Sequence, residues 1–362
     1  MIPIQPPFIL KYFNGQKRVA RKSGFYRRFY LSWEDALWHL LSIYRVEPGT
    51  KILLPEFFCG NVVDHMIEHG LSIFTYPVDK DLYTQTQDFI KRIKVVNPGI
   101  VVIFHPVGIS NHLMGKSDKW IKYFDNNGII IEDCVHQIID QDNISFVSER
   151  HFLIDSLRKV VPIQGSYLYS STQTPAISLT RKLLTLPHRL SVTASWIKMQ
   201  ANLVLAYFSK SKKQSDLYNL KAEAAMLTGY LEIGSKEYSS PGMSIMSWLS
   251  SMIAVDQIRK SKDWQAKKYI RELQGLTSDG LFWLPRMNEA DYQNLRGFPL
   301  IINLKIADKF LKHLRGSGVL VRFELDDSLW SKGQKIVYLP MGIHLDEEDI
   351  EHVSRLSCEF LC

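Results

Sequence analysis

The sequence predicts an α/β protein, a mostly parallel sheet layered between helices and followed by a small α+β domain. Three observations carry this. Apolar strand segments alternate with helical ones from residue 29 to 135, the pattern of a three-layer α/β/α sheet. A second strand–helix–strand–helix run occupies Phe298 to Phe360. The 362 residues, 46% hydrophobic and 22% charged, suffice for one large and one smaller domain and argue against global disorder. We divide the chain into 1–245, with an N-terminal arm over 1–28, and 246–362.

The arm contains prolines and then Lys17, Arg18, Arg21, Lys22, Arg27 and Arg28, with Phe25 and Tyr26 among them. It reads as a solvated segment or as an anion-attracting rim. Phe29 to Leu31 is a short strand. Ser32 then caps a helix with Glu34 and Asp35 in its first turn and Ala36, Leu37, Leu40 and Leu41 on one face. A helix start of this kind offers free backbone N–H groups and the positive end of a dipole, which suits a phosphate. Pro48-Gly49 ends it, and the strand Lys51 to Pro55 leads into Glu56-Phe57-Phe58-Cys59-Gly60-Asn61. A helix closing over His65–Gly70, a strand at Leu71–Pro77, a helix at Phe89–Val96 and a buried strand at Gly99–Phe104 follow. Trp120 to Asn126 reads as helical, with Asn127-Gly128 as its stop.

The strand Ile129-Ile130-Ile131 then delivers Glu132-Asp133-Cys134-Val135-His136. An acid at the C-terminal end of such a strand lies in the crevice where open α/β sheets bind ligands. Lys159, 26 residues after Asp133, sits on a turn between apolar segments and can return to that crevice. Pyridoxal phosphate (PLP) needs that pair, a lysine for its aldehyde carbon and an acid for its ring nitrogen. On their own the two residues have a plainer reading: Asp133 as a helix cap and Lys159 as a surface lysine beside Arg158.

Ser166 to Ser170 is a strand, and Trp196 to Phe208 an amphipathic helix. Lys210-Ser211-Lys212-Lys213 marks a solvated turn, or a contact with a membrane surface. Met243 to Lys260 is a helix with Ile245, Met246, Leu249, Met252 and Ile253 facing inward, and a second helix spans Trp264 to Leu276. The small domain then has strands at Phe298–Ile302 and Gly318–Val321, a helix at Ile306–Arg315, and a last helix at Glu347–Phe360 after Tyr338-Leu339-Pro340-Met341.

In three regions the chain resembles the fold-type I PLP-dependent aminotransferases, in particular the DegT/StrS family that aminates nucleotide-linked keto sugars. Ile131 to His136 resembles that family's I-E-D-A-A-H/Q. Ser156-Leu157-Arg158-Lys159 with Pro162 and Gly165 resembles its S-L-R-K…P…G lysine segment, and Leu339-Pro340…Leu345-Asp346-Glu347-Glu348-Asp349-Ile350 its L-P…L-S-x-E-D-V ending. The resemblance implies an aldimine on Lys159, Asp133 on the pyridine nitrogen, His136 near the ring oxygen, and Ser156 and Ser32 on the phosphate. At the family's S-G-T phosphate turn this chain has Ser32-Trp33-Glu34, so Trp33 stands where the family has a small glycine. The family's ring-stacking aromatic aligns with Cys59, and Phe58 beside it is our choice for that role. His105-Pro106-Val107-Gly108 resembles the family's H-x-x-G, with His105 read as structural. The family's G-Y-N-Y-R turn corresponds to Ser240-Pro241-Gly242-Met243-Ser244, which lacks the asparagine.

The resemblance further implies a homodimer and an amino group passed from an amino acid donor to a keto sugar or similar carbonyl acceptor, nucleotide-linked in that family. A dehydratase using the same cofactor, or a non-catalytic binding descendant, are the alternatives. The net charge of +7 favours anionic ligands and is no argument for nucleic acid. No run approaches the ~18 apolar residues of a membrane span. The N-terminus has no signal-peptide pattern, and Cys59, Cys134, Cys358 and Cys362 show no paired spacing. Both features predict a cytoplasmic protein with reduced thiols.

Overall fold

The structure is a computed structural model that describes residues 2–3, 5–13, 24–139, 141–233, 239–273 and 280–361. Lys17, Arg18, Arg21, Lys22, Leu276 and Cys362 lie outside the described residues.

Strand β1 (Tyr26–Tyr30) leads into helix α1 (Trp33–Ile43), which Ser32 caps as expected. Then come β2 (Lys51–Pro55), α2 (Gly60–Glu68), β3 (Ser72–Tyr76), α3 (Thr86–Val96) and β4 (Ile100–Phe104). Each lies within a residue or a few of its expected place, because apolar runs bounded by Gly and Pro mark strand ends well. The expected helix at Trp120–Asn126 is instead a single turn, α4 (Ser117–Trp120), running into a 3-10 turn at Ile121–Tyr123. Trp120 is fully buried against Phe89 and donates its indole N–H to the Leu113 carbonyl at 2.8 Å, which ties the end of the turn to the preceding loop.

Strand β5 (Ile129–Cys134) is followed by β6 (His151–Asp155), which the sequence reading missed, and by β7 (Ser166–Ser170). All five residues of β6 are buried, yet it begins with a histidine and ends with an acid, so no hydrophobic alternation gives it away. The sheet order is β1-β7-β6-β5-β4-β2-β3. The β3–β2–β4–β5–β6 pairings are parallel, and β7 and β1 add antiparallel strands at one side. Because parallel neighbours share their C-terminal ends, Phe104, Asp133 and Ile154 lie in register at one edge of the sheet.

Residues after β7 form α5 (Leu179–Leu184) and a long antiparallel hairpin of α6 (Leu186–Phe208) and α7 (Lys212–Glu232), with Ser209 to Ser211 as its turn. The helix expected over Met243–Lys260 is broken into α8 (Ser244–Ser250) and α9 (Val255–Leu273), and α9 absorbs most of the next expected helix. The break has a visible cause. The N-terminal segment inserts at residues 253–254, where Ala254 donates its N–H to the Tyr12 carbonyl at 2.9 Å. Met246 and Ile253 face inward as expected, whereas Ile245 is half exposed.

A second, antiparallel sheet has the order β10-β9-β8, with β8 (Phe282–Trp283), β9 (Phe298–Asn303) and β10 (Gln334–Leu339). It carries α10 (Glu289–Tyr292), α11 (Leu304–Gly316) and α12 (Glu347–Leu361). The expected strand at Gly318–Val321 is not a member of either sheet. Val319 there makes an isolated parallel bridge to Ile2, through two backbone hydrogen bonds of 2.8 and 2.9 Å.

The two sheets meet at the loop after β4. Gly108 has φ of +96°, and a Cβ added there would lie 2.5 Å from the Asn294 carbonyl oxygen and 2.8 Å from the Leu295 Cα. Next to it the Val107 carbonyl accepts the Arg296 N–H at 3.1 Å. We predict that Gly108→Ala costs roughly 2 kcal/mol or more, because both the backbone conformation and the space are lost. Gly115→Ala, with nothing within 4 Å of the new Cβ, should stay within about 0.5 kcal/mol of the parent. Urea unfolding midpoints check both.

Candidate active site

The C-terminal edge of the large sheet gathers most of the residues singled out from sequence. Asp133 is the penultimate residue of β5, and its Oδ1 accepts the Val135 N–H at 3.1 Å. Burial pushes its carboxyl pKa up to about 8, against the Val135 hydrogen bond and the positive charge of Lys159, both of which pull it down. A carboxyl in this state is poised to share a proton with a basic nitrogen placed against it. The Trp33 indole N–H makes no hydrogen bond of acceptable geometry, yet it lies close enough to Asp133 to favour the charged form.

Lys159 reaches this edge from the 3-10 turn Leu157–Lys159 that follows β6. The turn is short because Lys159 and Val160 donate back to Ser156 and Leu157, and Gly165 folds the chain over it with φ of +140°. A Cβ on Gly165 would run into the Phe29 ring. Ser156 is buried at the start of the turn. Cys59, at the N-cap of α2, is near enough to feel the Lys159 charge, but burial raises its thiol pKa to about 11 and keeps it protonated. Phe58 is buried edge-on against Trp33 and Phe104, with ring centroids 6.1 and 5.9 Å away.

Two residues that the sequence reading missed complete the cluster. Glu324 comes from the chain between α11 and β10 and is only 3% exposed. One carboxylate oxygen lies 2.7 Å from Arg296 Nη1, and the other lies 3.1 Å from His136 Nε2 and 3.7 Å from Lys159 Nζ. Burial alone would raise its pKa, but the Arg296 and Lys159 charges and the His136 hydrogen bond bring it well below the usual carboxylate range. His136 Nδ1 accepts the Val107 N–H at 3.2 Å, so the proton of the neutral ring sits on Nε2 and is donated to Glu324. Burial lowers the His136 pKa to about 3, which keeps it neutral near pH 7. Neither Glu324 nor Arg296 belongs to a motif. Their one signal is an ionisable residue set inside an apolar run, Leu320-Val321-Arg322-Phe323-Glu324-Leu325 and Leu295-Arg296-Gly297-Phe298.

Behind the site, Glu132 Oε1 lies 2.7 Å from His105 Nε2 and Oε2 lies 3.1 Å from His151 Nε2. The other ring nitrogens of these histidines accept the Asn111 and Val147 N–H groups, so both rings present N–H to the carboxylate. Burial raises the Glu132 pKa, and the two imidazoles overcome that and hold it near 2. His105, Glu132 and Cys134 have the spacing of metal donors. The His105 hydrogen bond and the close approach of His151 to the carboxylate instead make a polar tie between β4, β5 and β6, the structural role expected for His105.

At the N-terminus of α1 the arrangement differs from the expected phosphate turn. The Ser32 hydroxyl donates to Asp35 Oδ2 at 2.7 Å and accepts the Asp35 N–H at 3.1 Å. Asp35 Oδ1 accepts the Ser240 N–H at 2.6 Å. Asp133 and Lys159 thus suit the ring nitrogen and the aldehyde carbon of PLP, whereas the residues at α1 do not suit its phosphate.

No protein-family model matches the chain, and no curated protein matches it. Solved structures do. Over the full length of both chains it is similar, at 12% identity and a TM-score of 0.62, to Spr1654 from Streptococcus pneumoniae, a candidate sugar aminotransferase in its PMP form. A DegT DnrJ EryC1 StrS aminotransferase from Brucella abortus matches at 13% identity and a TM-score of 0.56, over 93% of this chain and 86% of its own. NtdA from Bacillus subtilis, with bound cofactor PMP, matches at 11% identity and a TM-score of 0.58, over 93% of this chain and 73% of its own. The fold is therefore the fold-type I architecture expected from the sequence.

Removing one partner of a buried ion pair strands the other. We expect Glu324→Ala to cost about 3–5 kcal/mol, and a Glu324→Leu/Arg296→Met pair to cost clearly less than the sum of its single changes. A double-mutant cycle by urea unfolding measures both. The raised folded pKa of Asp133 means that its contribution is complete below the unfolded value near 3.8 and is lost as pH rises through about 8. The buried Lys262, whose pKa burial lowers to about 7, acts in the opposite direction above pH 7, so parent and variant must be compared. Asp133→Asn should gain stability relative to the parent between pH 5 and 8, by at most about 1.4 kcal/mol per pH unit, and level off above 8. A flat difference across that range would contradict the assigned shift.

Proposed function

We propose that the chain is a PLP-dependent aminotransferase in which Lys159 is the catalytic residue and Asp133 and His136 hold the cofactor ring. One observation carries the reading: Asp133 on β5 and Lys159 on the turn after β6 meet in one buried cluster at the C-terminal edge of the sheet, near enough for the lysine's charge to act on the carboxyl. Fold neighbours whose names include aminotransferase, some with PMP bound, support it.

When bound, PLP supplies an aldehyde for the amine and a ring that withdraws electrons from the reacting carbon. Asp133 would face the ring nitrogen, and its buried carboxyl shares a proton with that nitrogen rather than with water. Lys159 would carry the proton to and from the substrate carbon, as base and then as acid. Glu324 lies 3.7 Å from the amine and would hold the Lys159 side chain toward the cluster. His136 keeps its Nε2 proton toward Glu324, leaving the ring neutral and fixed in orientation. Ser156, buried at the start of the lysine turn, and Phe58 and Cys59, at the mouth of β2, would line the rest of the site.

The donor would be an amino acid and the acceptor a keto sugar or similar carbonyl compound, in keeping with the names of the fold neighbours and the net charge of +7. A homodimer suits the exposed leucines of α5 to α7, among them Leu179, Leu183, Leu184, Leu190, Leu217 and Leu220. No helix among the described residues is long and apolar enough to cross a membrane, which suits the cytoplasmic location we assign.

The test is borohydride trapping. PLP-treated protein should absorb as a yellow species, lose the band on reduction, and carry the label on Lys159. Lys159→Ala should lose both label and transamination, and Asp133→Asn should lower turnover with glutamate by roughly 100-fold or more. Sedimentation of the same sample should show a dimer. Full activity in Lys159→Ala would end the proposal.

A further inference from the structure

The N-terminus of α1 opens on the same crevice as Asp133 and is already occupied by the chain's own carboxylate. Asp35 is 4% exposed and Ser32 2%. The Ser32 hydroxyl gives its proton to Asp35 Oδ2, and the Ser240 N–H is taken by Oδ1. The Ser239 hydroxyl fixes the Asp35 carbonyl at 2.6 Å, so the turn is held from two sides. Glu34, 8% exposed in the same turn, is close enough for its charge to act on both Asp133 and Cys59. Trp33, the first residue of the helix, buries its indole edge-on against Phe58, where a turn that wraps a phosphate carries a small residue. The Ser32 hydroxyl and the Asp35 and Ser240 N–H groups are therefore taken by the chain itself, and the acids beside them repel an anion.

We propose that Asp35 and Glu34 are specificity-determining residues that close this helix against phosphate, so that the site holds an aldehyde of the pyridoxal class through Lys159 and Asp133 without a phosphate anchor. The inference rests on the reading of Lys159 as the residue that binds the aldehyde. Its consequence is a preference about the ligand itself. A site with a phosphate hold distinguishes PLP strongly from pyridoxal, and this one does not.

The experiment uses the full chain at pH 8, freed of bound aldehyde and titrated separately with PLP and with pyridoxal. Affinity is read from the imine absorbance, and each complex is reduced with borohydride and mapped by peptide mass. The expected result is label on Lys159 from both compounds, with dissociation constants less than about tenfold apart. The variant E34Q/D35N keeps the hydrogen-bonding shapes while removing both charges. It should bind PLP about tenfold more tightly than the parent does, with pyridoxal changed less than about threefold. PLP binding at Lys159 tenfold or more tighter than pyridoxal in the parent overturns the inference and leaves the assignment of Lys159 intact. So does unchanged PLP affinity in a variant whose circular dichroism matches the parent. If E34Q/D35N fails to fold, E34Q alone is read by the same two criteria. Absence of label at Lys159 from either aldehyde overturns the assignment of Lys159 and this inference together.

Discussion

The buried carboxylate of Glu324 is the point on which the site depends. It is almost fully removed from water, and an unpaired anion there would be unaffordable in a marginally stable protein. Arg296, His136 and Lys159 converge on it from the start of β9, from the end of β5 and from the turn after β6. One residue from the C-terminal part thereby fixes three groups, two of which belong to the large sheet or its loops. An ion pair of this kind adds little net stability over a well-packed apolar pair. Its effect here is positional, because the Lys159 amine, the His136 tautomer and the contact between the two sheets all answer to one charge.

The polar tie behind the site does related work. Glu132 and Asp133 are adjacent on β5, and their side chains point to opposite faces of the sheet, as strand geometry requires. Glu132 is anchored by His105 and His151 and stays ionised, whereas Asp133 faces the crevice with few donors and tends to stay protonated. Burial thus keeps one of two neighbouring acids protonated, while the two imidazoles beside the other overcome the same penalty and keep it ionised. That separation leaves only Asp133 available to a ligand.

At α1 the same logic works against an expectation. Serine at a helix N-cap serves equally well for binding a phosphate and for receiving a side chain from its own first turn. Asp35, three residues on, completes the second arrangement, and Ser240 from a distant loop reinforces it. The acids in the first turn could be read in the sequence, but their burial could not, since first-turn acids on most helices face water.

Local patterns of residues were enough to define much of this protein. The apolar runs bounded by Gly and Pro located β2, β3, β4, β5, β7 and β9, and the acid at the end of β5 and the lysine after β6 were legible as a pair. These are short-range features, set by propensity and by the alternation of buried and exposed positions. Tertiary structure decided what depends on distant partners. It placed β6, whose histidine accepts the Val147 N–H and lies against Glu132 and whose acid accepts donors from β7, and it split α8 from α9 where residue 12 docks. It also brought Arg296 and Glu324, separated by 28 residues and carried by no motif, to the amine of Lys159. A buried charge declares itself only through the partner that neutralises it, and that partner is chosen by the fold.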